Sequence, residues 1–108
     1  MTIKKQYLKS KPEVKITFEI EKKDTQNATN IILLSEHNEW QAIELKQLKS
    51  GKFKVVVNVS TENLESFQYI FQATDTNHQK VMLLPVDADG YVDNGMTDGG
   101  QNAVLQIA

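Results

Sequence analysis

The stretch Val14-Lys15-Ile16-Thr17-Phe18-Glu19-Ile20-Glu21 alternates apolar and polar residues without a fault. A helix turns about 100° per residue and would scatter these apolar positions around its circumference, whereas a strand sends them all to one face. Val14, Ile16, Phe18 and Ile20 therefore face a core, and the residues between them face water. The same period recurs in residues 53–59, with Phe53, Val55, Val57 and Val59 on one side. It recurs again in residues 66–74, with Phe67, Tyr69, Phe71 and Ala73. With three such stretches and no run of helical period, the chain can only build a sheet structure.

The remaining segments fit between these three. Residues 1–12 read as a flexible N-terminal arm that ends at Pro12, and residues 13–108 as a single domain. Residues 22–27 are polar throughout and form a loop. The aliphatic run Ile31-Ile32-Leu33-Leu34 predicts a strand covered on both faces, which delivers the only tryptophan, Trp40, to the surface just beyond its end. Residues 42–46 alternate weakly and suggest a short strand, followed by a turn in which Gly51 can take positive φ. Residues 60–65 suit a single capped helical turn. The strand at residues 66–74 is the most aromatic and is expected at the centre of its sheet. Asp75-Thr76-Asn77-His78 is a hairpin turn, and Lys80-Val81-Met82-Leu83-Leu84 the returning strand, stopped by Pro85. Residues 86–102, rich in Asp and Gly, predict an irregular loop, and residues 103–107 a closing strand. About seven short strands point to an all-β, immunoglobulin-like antiparallel β-sandwich, with a barrel as the alternative.

At 108 residues there is room for one core. No run of 18 or more apolar residues occurs, and the N-terminus lacks the apolar segment of an export signal, so a cytoplasmic protein is expected. Cysteine is absent, which excludes disulfides and a thiol nucleophile. The sequons at Asn27 and Asn58 are then accidental. Lysines crowd the start of the chain while Asp87, Asp89, Asp93 and Asp98 crowd the end, so the two ends attract. Every basic residue is lysine, and without arginine the bidentate reading of phosphate or guanine is lost; neither nucleic acid nor membrane is an expected partner. His37 and His78 lie on separate turns and are expected to be solvated, which leaves no zinc site. Asp87, Asp89, Asp93 and Asp98 resemble a calcium loop, but Gly90 falls where the pattern needs its spacer. Ser35, Glu36 and His37 are sequence neighbours whose side chains should point apart, so they make no triad. No metal or cofactor is expected.

Three segments together carry a resemblance. Ser35-Glu36-His37-Asn38-Glu39-Trp40, Tyr69-Ile70-Phe71-Gln72-Ala73 and Gly99-Gly100-Gln101-Asn102-Ala103-Val104-Leu105-Gln106-Ile107 follow the order and spacing of the isoamylase N-terminal early-set domain. This is the family-48 carbohydrate-binding module, related to the glycogen-binding domain of the AMP-activated kinase β subunit. The lysine-rich leader up to Pro12 looks like that of short, free-standing bacterial members. The resemblance implies α-glucan binding, with Trp40 stacking on a sugar ring and Asn102 at the other matching position; Tyr91 or Lys80 is a further candidate ligand-binding residue. It implies no catalysis, because the family's enzymes react substrate in a separate barrel of about 250 residues. The sequence departs from the family where glycogen-binding members carry a second tryptophan and a basic residue, here Met82 and Ile70, and where Ser35 and His37 replace the family's Gly and Phe before Trp40.

Two functions are consistent with these residues. One is a non-catalytic module for glycogen or a starch-like α-glucan. The other is a protein-interaction or self-associating domain that has lost glycan binding and uses a patch containing Ile70, Gln72 and Met82.

Overall fold

The computed structural model describes residues 2–25, 28–62, 64–85, 88–93 and 100–107. The sequon residue Asn27 and the loop residues Asp87, Gly95, Asp98 and Gly99 fall outside them. Among the described residues ten strands form two antiparallel sheets packed as a β-sandwich. The four-stranded sheet has the order β1 (Thr2–Tyr7), β2 (Glu13–Ile20), β6 (Phe53–Ser60), β5 (Lys46–Gln47). In the six-stranded sheet the order is β4 (Ile43–Glu44), β3 (Asn30–Ser35), β7 (Ser66–Thr74), β10 (Gln101–Gln106), β9 (Gly90–Asp93), with β8 (Lys80–Leu83) also paired to β7. Among the described residues no helix is long and apolar enough to cross a membrane.

The faultless alternations become the inner walls. Val14, Ile16, Phe18 and Ile20 from β2, with Phe53, Val55, Val57 and Val59 from β6, face Phe67, Tyr69, Phe71 and Ala73 from β7, and all are buried. Phe18 bridges the sheets: its ring centroid lies 5.2 Å from that of Tyr69 and 5.5 Å from that of Phe71, the second pair edge-on. Such tilted contacts set the positive edge of one ring against the negative face of another. As its aromatic content suggests, β7 is central, flanked by β3 on one side and by β10 and β8 on the other.

Four expectations are corrected. Residues 2–7 are a strand rather than an arm: β1 pairs along its whole length with β2, half-buried Ile3 packs on the core, and Lys5 Nζ lies 3.0 Å from Asp89 Oδ2 on the other sheet. That bridge joins the oppositely charged ends of the chain. The weak alternation at residues 42–46 is two strands in different sheets. Ile43 and Glu44 pair with β3, Lys46 and Gln47 pair with β6, and the chain crosses between the sheets at buried Leu45. The loop expected at residues 86–102 contains β9, which pairs with β10. The aliphatic strand β3 is covered on one face only, with Ile31 and Leu33 fully buried but Ile32 and Leu34 only half-buried.

Turn chemistry follows the sequence. Asp75 organises the hairpin after β7, its carboxylate accepting from the N–H groups of Asn77 (2.8 Å) and Gln79 (2.9 Å). Gly51 has φ 91°, so the backbone favours glycine there; a Cβ would also displace the flexible Lys22 side chain, which it would meet at 2.7 Å.

Candidate functional site

Trp40 stands on a turn that the end of β3 dictates. Ser35 closes the strand fully buried, and a single turn of 3-10 helix, Glu36–Asn38, follows. The Ser35 hydroxyl accepts from the His37 N–H at 3.3 Å, as an N-cap does. At the other end the Trp40 N–H donates to the Ser35 carbonyl (2.8 Å) and the Glu39 N–H to that of Glu36 (3.2 Å). This nested pair of bonds is the Schellman pattern, which requires a left-handed residue at the position of Glu39 and usually takes glycine there. Glu39 has φ 62°, and Trp40 continues left-handed at φ 65°. Two consecutive side-chain-bearing residues in this region cost about 1–2 kcal/mol each. Such strain persists only where surrounding bonds over-determine it, and it concentrates at binding sites.

His37 supplies part of that bracing. Its Nδ1 is hydrogen-bonded to the Ser35 hydroxyl, and its ring centroid lies 5.3 Å from that of Phe67. Burial holds its pKa below the ordinary imidazole value. The expectation of a solvated His37 is therefore overturned, as is the expectation that Ser35 and His37 point apart: the tight turn folds residue 37 back onto residue 35. The pair is structural, because Ser35 has no exposed surface and Glu36 is directed elsewhere. On the outgoing side, Asn38 Nδ2 donates to the Gln41 carbonyl at 3.0 Å. Held from both sides, Trp40 remains 41% exposed.

Glu36 extends the site across the sheet. The register of β3 and β7 ends at Ser35 opposite Tyr69, and the next amide of β7, that of Gln68, donates instead to Glu36 Oε1 at 3.1 Å. The Gln68 side chain in turn accepts from Asn102 Nδ2 at 3.2 Å. Glu36, Gln68 and Asn102 thus form a polar band over β7 and β10, starting at the turn that carries Trp40. Sequence reasoning missed Gln68, although its position between inward Phe67 and Tyr69 fixes it on the outer face.

Other residues fall on this outer face by register. Leu34 lies opposite Ile70, and Ile32 opposite Gln72, which lies opposite Met82. Ile70, Gln72 and Met82 therefore do form one surface, though unequally: Ile70 is only 7% exposed and Met82 53%. Lys80 is opposite Thr74 on the same face. It lies five residues along β7 from Tyr69, which pairs with Ser35 at the Trp40 end, about 17 Å away at the usual strand rise. Tyr91 is opposite inward-facing Ala103, while Asn102 is opposite Val92, so Tyr91 and Asn102 project to opposite faces. The Tyr91 hydroxyl donates to the Pro85 carbonyl. Of the four residues expected to bind ligand, the structure gathers Trp40 and Asn102 at one end, puts Lys80 at the other end and turns Tyr91 away.

In comparisons with known proteins, no family model and no curated sequence matches the chain.

Proposed function

We propose that the chain is a non-catalytic module that binds an α-glucan of the glycogen or starch type, within the cytoplasm, through Trp40 and the amide band of Gln68 and Asn102. The single observation that carries this reading is the exposed Trp40 on a doubly left-handed, hydrogen-bonded turn. A surface indole so fixed offers a flat π-face to the C–H face of a sugar ring at little entropic cost. Neighbouring amides of Gln68 and Asn102 suit the hydroxyls around such a ring, and the shallow outer face suits a chain that runs across it. The resemblance of the Trp40 turn and of the Asn102 strand to the family-48 module gives the sugar class. In this reading Lys80 sits too far along β7 to share a ring with Trp40, and Tyr91 serves to anchor β9.

A second reading, docking of a protein on the same face, is favoured by the aliphatic cluster of Leu34, Ile70 and Met82. Titration of the intrinsic fluorescence separates the two, since Trp40 is the only tryptophan. Maltoheptaose and glycogen should quench or shift the emission saturably. Trp40→Ala, followed by calorimetry, should lose binding while keeping the wild-type unfolding curve. A millimolar affinity corresponds to only about −4 kcal/mol, so the sugar must be taken to tens of millimolar. Absence of any response at that level overturns the glucan reading and favours the protein-docking one.

A further inference from the structure

Strand β6 leaves one edge open. It pairs with β2 from Phe53 to Ser60, but on its other side β5 covers only Phe53 and Lys54, because the chain departs to the other sheet at Leu45. The alternation of hydrogen bonds decides which groups point outward. The Thr61 N–H donates to the Pro12 carbonyl and the Leu48 N–H to that of Lys52. Counting by twos from the first bond sends the backbone groups of Val59, Val57 and Val55 towards β2. Counting from the second sends those of Lys54 towards β5. The N–H and C=O groups of Val56, Asn58 and Ser60 accordingly face the open edge, where no described residue pairs with them. The other edges are charged or short: β1 carries Lys4 and Lys5, β8 and β9 have four residues each, and β4 and β5 two. The β6 edge carries neither charge nor proline from Val55 to Thr61, and natural sheets seldom leave such an edge uncovered. Beside it lies a crevice of about 290 Å³ lined by His37, Asn58, Val59, Ser60 and Leu64.

We propose that a second copy of this chain covers this edge, with β6 pairing antiparallel to β6 of its partner about a two-fold axis through Asn58. This register is self-complementary. It sets Asn58 against Asn58 and Val56 against Ser60, so that every outward backbone group on both edges gains a partner. On the inner side Val57 meets Val59, continuing the core. At the rims the paired segment stops at Ser60, short of Lys54, whose outward side β5 already holds. Shifting the register by two residues in either direction leaves outward groups unpaired. The two four-stranded sheets become one continuous sheet, while Gln68 and Asn102 lie on the outer face of the other sheet.

Sedimentation equilibrium of the full chain up to about millimolar concentration tests this, and it is independent of any sugar. The wild type should show a monomer–dimer equilibrium. Asn58→Lys, an exposed change that leaves the monomer intact, sets two ammonium groups face to face and should weaken the dimer by about fivefold or more. Asn58→Asp should do the same, and an equimolar mixture of the two should restore a dimer. Under oxidising conditions Asn58→Cys should form a disulfide-linked dimer, since directly opposed Cα atoms in a hydrogen-bonded pair lie about 5.5 Å apart. Val56→Cys, opposed to Ser60, should not. A wild type that stays monomeric overturns the proposal, as does a dimer indifferent to Asn58→Lys or a Val56→Cys chain that cross-links as readily as Asn58→Cys.

Discussion

The two sheets share one core but present different outer faces. On the four-stranded sheet the outward positions of β2 are Glu13, Lys15, Thr17 and Glu19. Lys52 Nζ, on the turn before β6, lies 3.2 Å from Glu19 and 3.5 Å from Glu21. This raises the Lys52 pKa, chiefly through its hydrogen bond to Glu19, and the same bond lowers the Glu19 pKa. The outward positions on β3, β7 and β10 carry instead Ile32, Leu34, Gln68, Ile70, Gln72, Asn102 and Val104, with no charge among them. A charged face holds its hydration shell. An amide and aliphatic face releases water readily and can hydrogen-bond a neutral partner. The inward alternation is equally strict on both sheets, so the two sheets differ in their outer faces and not in how their inner faces pack.

The most drastic way to break the comparison is to remove what both faces rest on. Phe18→Ala takes away the ring that touches Tyr69 and Phe71, and denaturant unfolding should show a loss of about 3–5 kcal/mol, with both faces losing their form together. A paired substitution sharpens the comparison next. Asn102→Ala removes one amide from the face formed by β3, β7 and β10 and, under the proposed function, should weaken glucan binding by about 1 kcal/mol, roughly fivefold. Glu19→Gln on the charged face should leave the calorimetric affinity unchanged.

Glu39→Gly relieves one left-handed residue and should raise stability by about 1 kcal/mol in thermal unfolding. The same change frees the Trp40 turn, so affinity should fall as stability rises. The smallest effect concerns pH. His37 favours its neutral form in the folded protein, so below the unfolded imidazole pKa of about 6.5 the unfolded chain binds more protons. Its contribution to stability is complete above that pH and is lost as pH falls through the folded-state value. Urea midpoints measured between pH 7 and pH 5 should decline, and His37→Gln should flatten the decline.

Legibility in the sequence followed the strength of burial. Strands β2, β6 and β7 each place one full face in the core, so their period is clean. Strand β1 was missed because lysines at 4 and 5 fall on both of its faces, as suits an edge. Similarly β9, with Tyr91 and Val92 both exposed, has no buried face to betray it. The position of Trp40 beyond β3 could be read directly. Its left-handed backbone could not, because nothing in Asn38-Glu39-Trp40 marks such a turn: it is imposed by the Ser35 carbonyl and the packing of His37. The Gln68 and Asn102 pairing likewise depends on register between strands far apart in sequence.

The crossing at Leu45 has a dynamic consequence. Its N–H donates to Ile31 on one sheet, while the next residue, Lys46, is already in register with Lys54 on the other. Neither sheet can open along this border without pulling on its counterpart. The four-stranded and six-stranded halves should therefore open together, so that the strand-paired amides of β3 and those of β6 that face β2 should share one opening event in amide exchange.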